Sequence, residues 1–342
     1  MSDGRAEAKR GFLAGAGWGG AALSPLAGDA SNRRYERAAS GRLRAVLMDA
    51  PAERGEDLGR FLALTGELRR RGLSAPEVFH ADEAAGFALI EDLGDALFAR
   101  VAAAEPALEA AIYEAAVDLL PLLEGPPAFA EGAGARADVP PYDEAVLVRE
   151  AMLALDWWAA GAGRPAPDDA KAEFAALISA ACAAPALSRR ALVLRDYHAE
   201  NLLWLPEREG HARVGLLDYQ DALAGHAAYD LISLTEDARR DVPAPLREAL
   251  LARRIAATGE DSAAFEAAAA ALAAQRNLKI VGIFARLRLR DGKGAYLALI
   301  PRVWAHLMRD LAHPALAPLA AFVSAHVPPP EPAALARVGA GG

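Results

Sequence analysis

The chain has 342 residues, 54% of them hydrophobic and 24% charged, with a net charge of −9 and a pI near 5.4. That is enough apolar material for two ordinary domains or one large bilobal unit, and it excludes wholesale disorder. The acidic balance argues against a general nucleic-acid or anionic-membrane binder, and no window approaches the ~20 uninterrupted apolar residues of a membrane span.

Residues 1–22 are polar, then small and Gly-rich, with Phe12, Leu13 and Trp18 as anchors for a short helix. No basic segment followed by an apolar run opens the chain. Leu23-Ser24-Pro25-Leu26 leads into the tight-turn sequence Ala27-Gly28-Asp29-Ala30-Ser31-Asn32. Arg34 to Arg37 reads as a strand, Gly41 as a turn and Leu43 to Met48 as a further strand, the pattern of a small antiparallel sheet. Asp57 to Arg71 carries Leu58, Phe61, Leu62, Leu64 and Leu68 at helical spacing. Three arginines close it and Gly72 ends it. Val78-Phe79-His80 and Phe87 to Ile90 complete the strands, and Glu91 to Gly94 closes this N-terminal part with a polar link.

From Pro106 onward helical periodicity dominates: Leu108 to Leu123, Tyr142 to Trp158, Lys171 to Cys182, Pro245 to Ala256, Ser262 to Arg290 and Tyr296 to Ala312. Gly125 to Pro141 and Gly161 to Asp168 read as loops, and the Pro-rich tail from Val327 to Gly342 as loose chain. The single cysteine, Cys182, lies in an Ala-rich stretch and reads as a small core residue. These features describe a reduced, cytoplasmic chain.

Within the helical part, residues 191–218 form a β-like island. An apolar run ends at Leu194 and is followed by Asp196. Asn201 comes five residues later, directly before the apolar run Leu202 to Leu205. A second apolar segment, Val214 to Leu217, ends in Asp218. An acid, an amide and an acid at the rims of strands are what phosphoryl transfer requires. One carboxylate orients the acceptor hydroxyl, while an amide and a second carboxylate hold a metal on the phosphates. The bland reading is an Asp turn followed by a capping Asn.

Leu194 to Leu203, Leu216 to Ala222 and Ala228-Tyr229-Asp230-Leu231 resemble the aminoglycoside/choline phosphotransferase branch of the protein-kinase-like fold. Leu26 to Tyr35, Val46 to Pro51, Ile90 to Asp95, Glu236 to Val242 and Gln275 to Lys293 extend the likeness to the bacterial anomeric amino-sugar kinases of cell-wall recycling. The resemblance implies an α+β, bilobal, kinase-like fold, with a β-rich nucleotide-binding lobe over 1–94 and a helical catalytic and acceptor-binding lobe over 95–342. It implies ATP and Mg²⁺ between the lobes, with Asp196 catalytic and Asn201 and Asp218 on the metal. It makes Gly28, Asp29, Ala30 and Ser31 the nucleotide-covering turn, and Glu91 and Leu93 a hinge whose backbone meets adenine. As bare sequence the same turn reads equally well as an ordinary hairpin. Asp230 corresponds to a structural brace of the catalytic loop.

Two positions depart from the family pattern. Leu194 stands where a His usually precedes the catalytic Asp, and Met48 stands where a strand Lys usually reaches the phosphates. The following helix offers Leu62 at the expected Glu position, with Glu67 one turn away. Arg33, Arg34 and Arg44 are the replacement cations, against a reading as solvated strand-edge charges. On the acceptor side stand His198, Glu200, Asp237, Arg239, Arg276 and Lys279. His198 reads either as a brace of the loop or as a substrate contact. Arg276, Lys279, Arg286, Arg290 and Lys293 fall within about a 100° arc of one helix, which suits an anionic acceptor or a solvated face alike. Of Trp157 and Trp158, adjacent on a helix, at least one belongs to the core. The expected partners are ATP and a small sugar, with no nucleic acid, no membrane and a monomeric chain. The alternatives are a kinase of an aminoglycoside, choline or another sugar, and a nucleotide-binding pseudokinase scaffold.

Overall fold

The computed structural model describes residues 3–26, 32–127, 138–188 and 190–341. Helix α1 (Asp3–Gly15) precedes strands β1 (Ala22–Pro25), β2 (Arg34–Ser40) and β3 (Leu43–Asp49). Helix α2 (Leu58–Arg70), strands β4 (Val78–Asp82) and β5 (Phe87–Ile90), and helices α3 (Phe98–Ala104) and α4 (Glu109–Leu119) follow. Then come α5 (Glu144–Ala151), a π-helical turn (Ala154–Ala159), α6 (Asp168–Ala181) and α7 (Ala183–Leu187). Four short strands succeed them: β6 (Ala191–Val193), β7 (Leu202–Trp204), β8 (Val214–Leu216) and β9 (Leu223–Gly225). The rest is helical: α8 (Ala228–Thr235), α9 (Ala244–Thr258), α10 (Ser262–Asp291), α11 (Ile300–Asp310), α12 (Ala317–His326) and α13 (Pro332–Ala340).

Contacts group the chain into two compact units, one of Met1–Ala116, Pro127–Val139 and Glu200–Asp221, the other of Val117–Pro126, Pro140–Ala199 and Ala222–Gly342. This line differs from the break expected at residue 94. The reason is local: Ser74 bridges Gly215, and the Leu216 N–H donates to the Ser74 carbonyl at 3.0 Å, so the β7–β8 hairpin groups with the N-terminal part.

In the first unit β1 to β5 form an antiparallel sheet in the order β1-β2-β3-β5-β4. Phe12 and Leu13 of α1 bury against Ala38, Ala45, Leu47, Phe87 and Leu89, which makes the expected N-terminal helix a cover for one sheet face. Arg5 fixes its pose, with Nε 3.0 Å from Asp49 Oδ1 and its guanidinium 3.9 Å from the Phe87 ring centre. Helix α2 starts where Asp57 accepts the Arg60 N–H at 2.9 Å, and it buries Leu58, Phe61, Leu64 and Leu68.

In the second unit the 30-residue α10 packs against α5, α8, α11 and the π-helical turn. Its Gly282 meets the backbone just before that turn. A Cβ built on Gly282 would lie 2.2 Å from the Leu153 carbonyl carbon. Trp158 is fully buried and its indole N–H donates to the Pro328 carbonyl at 2.8 Å; Trp157 is half-buried. The tail expected to be loose is ordered instead. Helix α13 buries Val338, and Arg288 Nε donates to the Gly339 carbonyl at 3.0 Å. Its Pro-rich start is the N-terminal signal of a helix, with Pro332 in the first turn, rather than a sign of disorder.

Cys182 is buried, as expected, and burial pushes its thiol up to about 12. The native protein should therefore resist thiol-specific labelling at about pH 8 and react only once denatured. Stoichiometric labelling without denaturant would contradict this placement. Among the described residues no helix is long and apolar enough to cross a membrane.

Candidate functional site

The first unit holds Asn201 and Asp218 at one end of the β7–β8 hairpin. Leu202 pairs with Leu216, and one step outward the Leu217 N–H donates to the Asn201 carbonyl at 3.0 Å. The antiparallel register therefore brings the residue before β7 beside the segment that follows β8. Among the described residues Asp218 is one of two non-glycine residues with positive φ, at 56°, a conformation that costs energy and recurs at functional positions. Its side chain remains 40% exposed. Asp218 Oδ1 accepts Arg33 Nη2 at 2.9 Å and Gln220 Nε2 at 3.0 Å. Arg33 also lies 3.3 Å from Glu56 through Nε. Burial opposes the Arg33 charge, but Tyr35, Asp218, Glu56 and Asp221 outweigh it and raise its pKa.

Whether Asn201 and Asp218 fit a metal follows from their donors. Both are hard oxygen ligands at the same hairpin end, and Mg²⁺ typically takes only one or two carboxylates and completes its shell with phosphates and water. Among the described residues no cluster of three or more His, Cys, Asp or Glu side chains could hold an ion. By their chemistry Asn201 and Asp218 suit an open site of this kind.

The second unit holds Asp196, which follows Arg195, the other residue with positive φ, at 72°. That turn is pinned from below. Buried Asp230 accepts the N–H groups of Leu194 at 2.7 Å and Arg195 at 2.9 Å, and Ser233 Oγ donates to the Arg195 carbonyl at 2.9 Å. The Arg195 side chain pairs with Glu150. Asp230 is thus the brace expected of it; burial drives its pKa up to about 7 against the pull of the two amides. Leu194 is itself buried in the core, where the usual His would stand.

The Asp196 side chain is exposed, yet protein crowds around it. The resulting desolvation opposes ionisation, and Lys279, His198, Arg195 and Arg276 overcome it, so its pKa lies below the usual carboxylate range. His198 is buried with Nδ1 unpartnered. Burial lowers its pKa against the pull of Asp237 and Asp196. Asp237 is buried too: its Oδ1 accepts the Arg239 N–H at 2.8 Å, and its Oδ2 has no hydrogen-bond partner.

Several candidates lie elsewhere than expected. Arg44 is exposed and donates to the Gly41 and Leu43 carbonyls, both at 2.9 Å, so it closes the β2–β3 turn rather than joining Arg33. Arg34 is exposed as well. The Glu91 N–H donates to the Glu77 carbonyl at 2.7 Å and its carboxylate pairs with Arg208, which removes that amide as an adenine contact; Leu93 is half-buried. Gly28, Asp29, Ala30 and Ser31 lie outside the described residues. Glu200 is exposed and Arg239 half-buried.

The basic stripe divides along α10. Arg276 and Lys279 are buried and Arg290 is exposed; Lys293, expected on the same helix, is exposed and lies beyond the Gly292 cap that ends α10. Arg276 donates to Ser233 Oγ at 2.9 Å and to the Glu236 carbonyl at 3.3 Å. Lys279 donates to the Tyr229 hydroxyl at 3.0 Å and lies 3.4 Å from Glu150. Their head groups are therefore engaged inside the unit as supports of the Asp196 turn, and neither offers the open anion-binding surface the helical arc suggested. Glu56, Glu150, Gln220 and Ser233 carry these networks and were not singled out in the sequence. Each is an ordinary polar residue whose only signal is its spatial partner.

The chain matches the model of the phosphotransferase enzyme family over residues 22–265. It is 40% identical to the N-acetylmuramate/N-acetylglucosamine kinase of Caulobacter vibrioides, over 96% of this chain and 98% of that protein. It is 34% identical to the enzyme of the same name from Pseudomonas aeruginosa, over 89% of each. Among solved structures it is similar to a choline/ethanolamine kinase family protein from Mesorhizobium loti, with a TM-score of 0.59 at 18% identity, covering 98% of this chain and 100% of that one. It is also similar to an ADP-bound aminoglycoside phosphotransferase, with a TM-score of 0.58 at 13% identity, covering 90% and 97%. The α+β, kinase-like fold expected from the sequence is the fold these neighbours share.

Proposed function

Because the chain belongs to the phosphotransferase enzyme family, we propose that it transfers the γ-phosphoryl group of ATP to the anomeric hydroxyl of N-acetylmuramate or N-acetylglucosamine. The observation that carries this reading is the 40% identity to a kinase of that name across 96% of the chain. The fold neighbours share only the scaffold and decide neither the reaction nor the acceptor.

In this reading Asp196, held ionised, aligns the sugar hydroxyl for in-line attack and receives its proton. Asn201 and Asp218 hold Mg²⁺, which when bound offsets negative charge on the β- and γ-phosphate oxygens. His198 Nδ1 and Asp237 Oδ2, both buried and unpartnered, are the groups suited to sugar hydroxyls. A buried polar atom left unpaired costs about 1–3 kcal/mol, which a correctly placed hydroxyl would recover and a substrate lacking it would not. Products of this kind feed the reuse of cell-wall sugars.

The test is a phosphate-transfer screen over N-acetylmuramate, N-acetylglucosamine, aminoglycosides and choline with Mg·ATP, the product position being assigned by NMR. Transfer to the C1 hydroxyl of the amino sugars is expected. Transfer only to choline or an aminoglycoside would replace the acceptor assignment, and no transfer to any of them would remove the kinase reading. Lys279→Met is expected to move the acid limb of kcat to higher pH. Asp196 ionises above its depressed pKa, and losing this cation raises that pKa. A role limited to acceptor binding would raise KM and leave the limb in place.

A further inference from the structure

We propose that Arg33 and Glu56 form the charge pair that engages the nucleotide phosphates, in place of the strand lysine and helix glutamate that kinase folds ordinarily use. The assignment rests on the kinase reading above.

The ordinary pair has no counterpart here. Met48 is buried in β3 opposite Tyr35 and supplies no ammonium group. Glu67, the acid of α2, has a side chain with 0% exposure, and it is already neutralised by Arg70 at 2.9 Å and Arg71 at 2.6 Å. An acid held inside its own helix by two guanidinium groups is not available to a strand cation.

Arg33 replaces that arrangement with a different geometry. Its Nη2 lies 2.9 Å from Asp218 Oδ1 and its Nε 3.3 Å from Glu56 Oε2. Glu56 in turn accepts the Asn32 N–H through Oε1 at 3.1 Å, and Asn32 Nδ2 donates to the Arg54 carbonyl at 2.9 Å. Glu56 thus fixes both the guanidinium and the backbone next to it. Gln220 supports the same carboxylate oxygen from the other strand end, and Arg60 Nε holds the Gln220 carbonyl at 2.8 Å.

The chemistry favours phosphate as the remaining partner. A magnesium ion held by Asp218 would bring the nucleotide phosphates next to that carboxylate, so a guanidinium on Asp218 would stand within side-chain reach of them. Guanidinium presents five N–H donors in a plane and can meet phosphate oxygens bidentately, whereas an ammonium acts as a point charge. The other two arginines named beside it do not compete: Arg44 serves the β2–β3 turn and Arg34 is exposed.

Calorimetric titration with Mg·ADP and, separately, adenosine tests the pair, once thermal melts show that each variant is folded. Arg33→Met is expected to weaken Mg·ADP about 10- to 100-fold, the effect of losing hydrogen bonds to a charged group, while adenosine binding stays unchanged. Glu56→Gln should weaken Mg·ADP less. The double variant should be no weaker than Arg33→Met, because Glu56 acts through Arg33. Removing the exposed Arg42 as a charge control should leave Mg·ADP within about twofold. Arg33→Met with unaltered Mg·ADP affinity overturns the phosphate contact, and additive losses in the double variant overturn the pairing. If Arg33→Met does not fold, Glu56→Gln decides the question: affinity equal to the unsubstituted protein overturns the proposal. If no sugar is phosphorylated but Arg33→Met still loses the preference for Mg·ADP over adenosine, the pair stands and the sugar-kinase reading falls.

Discussion

Asp196→Asn is expected to lower kcat by about 10²–10⁴-fold, the usual worth of a positioned proton acceptor, while Mg·ADP affinity stays within about twofold. The amide is nearly isosteric with the carboxylate, so the turn should survive. Leu194 and Arg195 are held through their own N–H groups by Asp230, and none of those bonds involves the Asp196 side chain. What the substitution removes is an anion kept ionised by four surrounding cationic or polar groups. Steady-state kinetics with N-acetylmuramate, beside calorimetry with Mg·ADP, separate the two quantities. The same environment sets the pH profile of the unsubstituted enzyme. A carboxyl with a lowered pKa is deprotonated throughout the neutral range, so Asp196 should impose no acid limb between about pH 5 and 8. Activity near that of the unsubstituted protein in Asp196→Asn would sink the assignment of this residue as proton acceptor.

The largest loss of stability is expected at a residue far from the reacting atoms. In Gly282→Ala the new methyl would lie 2.2 Å from the Leu153 carbonyl carbon and 2.4 Å from its oxygen. Both are backbone atoms, so relief requires the start of the π-helical turn or α10 itself to move. Overpacking of a tight core contact costs about 1–3 kcal/mol, and backbone displacement places this case at or above the upper end. For a chain of this size each kcal/mol lowers Tm by about 2–4 °C. Gly161→Ala supplies the comparison. There the closest atom is the tip of Leu289, at 2.8 Å, a flexible side chain that can turn aside. Differential scanning calorimetry should rank Gly282→Ala well below Gly161→Ala, and equal melting temperatures would refute the packing argument.

Much of the first unit was legible because its elements carry local signals. Alternating short apolar runs separated by Gly41 and Gly86 specify the sheet. Asp57 and the leucine spacing of α2 specify a capped amphipathic helix. The tail misled because Val327 to Pro330 resembles linker composition, whereas its order comes from distant partners, Trp158 at Pro328 and Arg288 at Gly339 of α13. Helix α3, seven residues long, and β9, three residues long, escaped because short elements have too little periodicity to read.

The site divides in the same way. Asp196, Asn201 and Asp218 were singled out from sequence alone, because residue type and strand-rim position point to one chemistry, and the roles given to them are proposals. The fate of the cations was not. Arg33, Arg34 and Arg44 are alike as letters, and so are Arg276, Lys279 and Arg290 along one helical arc. Which of them meets an acid, a turn carbonyl or solvent depends on chain segments far away: Glu56 and Asp218 for Arg33, Gly41 for Arg44, Glu150 and Tyr229 for Lys279. The amino-acid sequence by itself determined the fold class and singled out the three residues proposed for phosphoryl transfer, since both readings rest on patterns within a few turns of chain. The tertiary structure alone decided which charges are buried against a partner and which face solvent. A charged side chain has no assigned role until its long-range partner fixes the desolvation and the field it experiences.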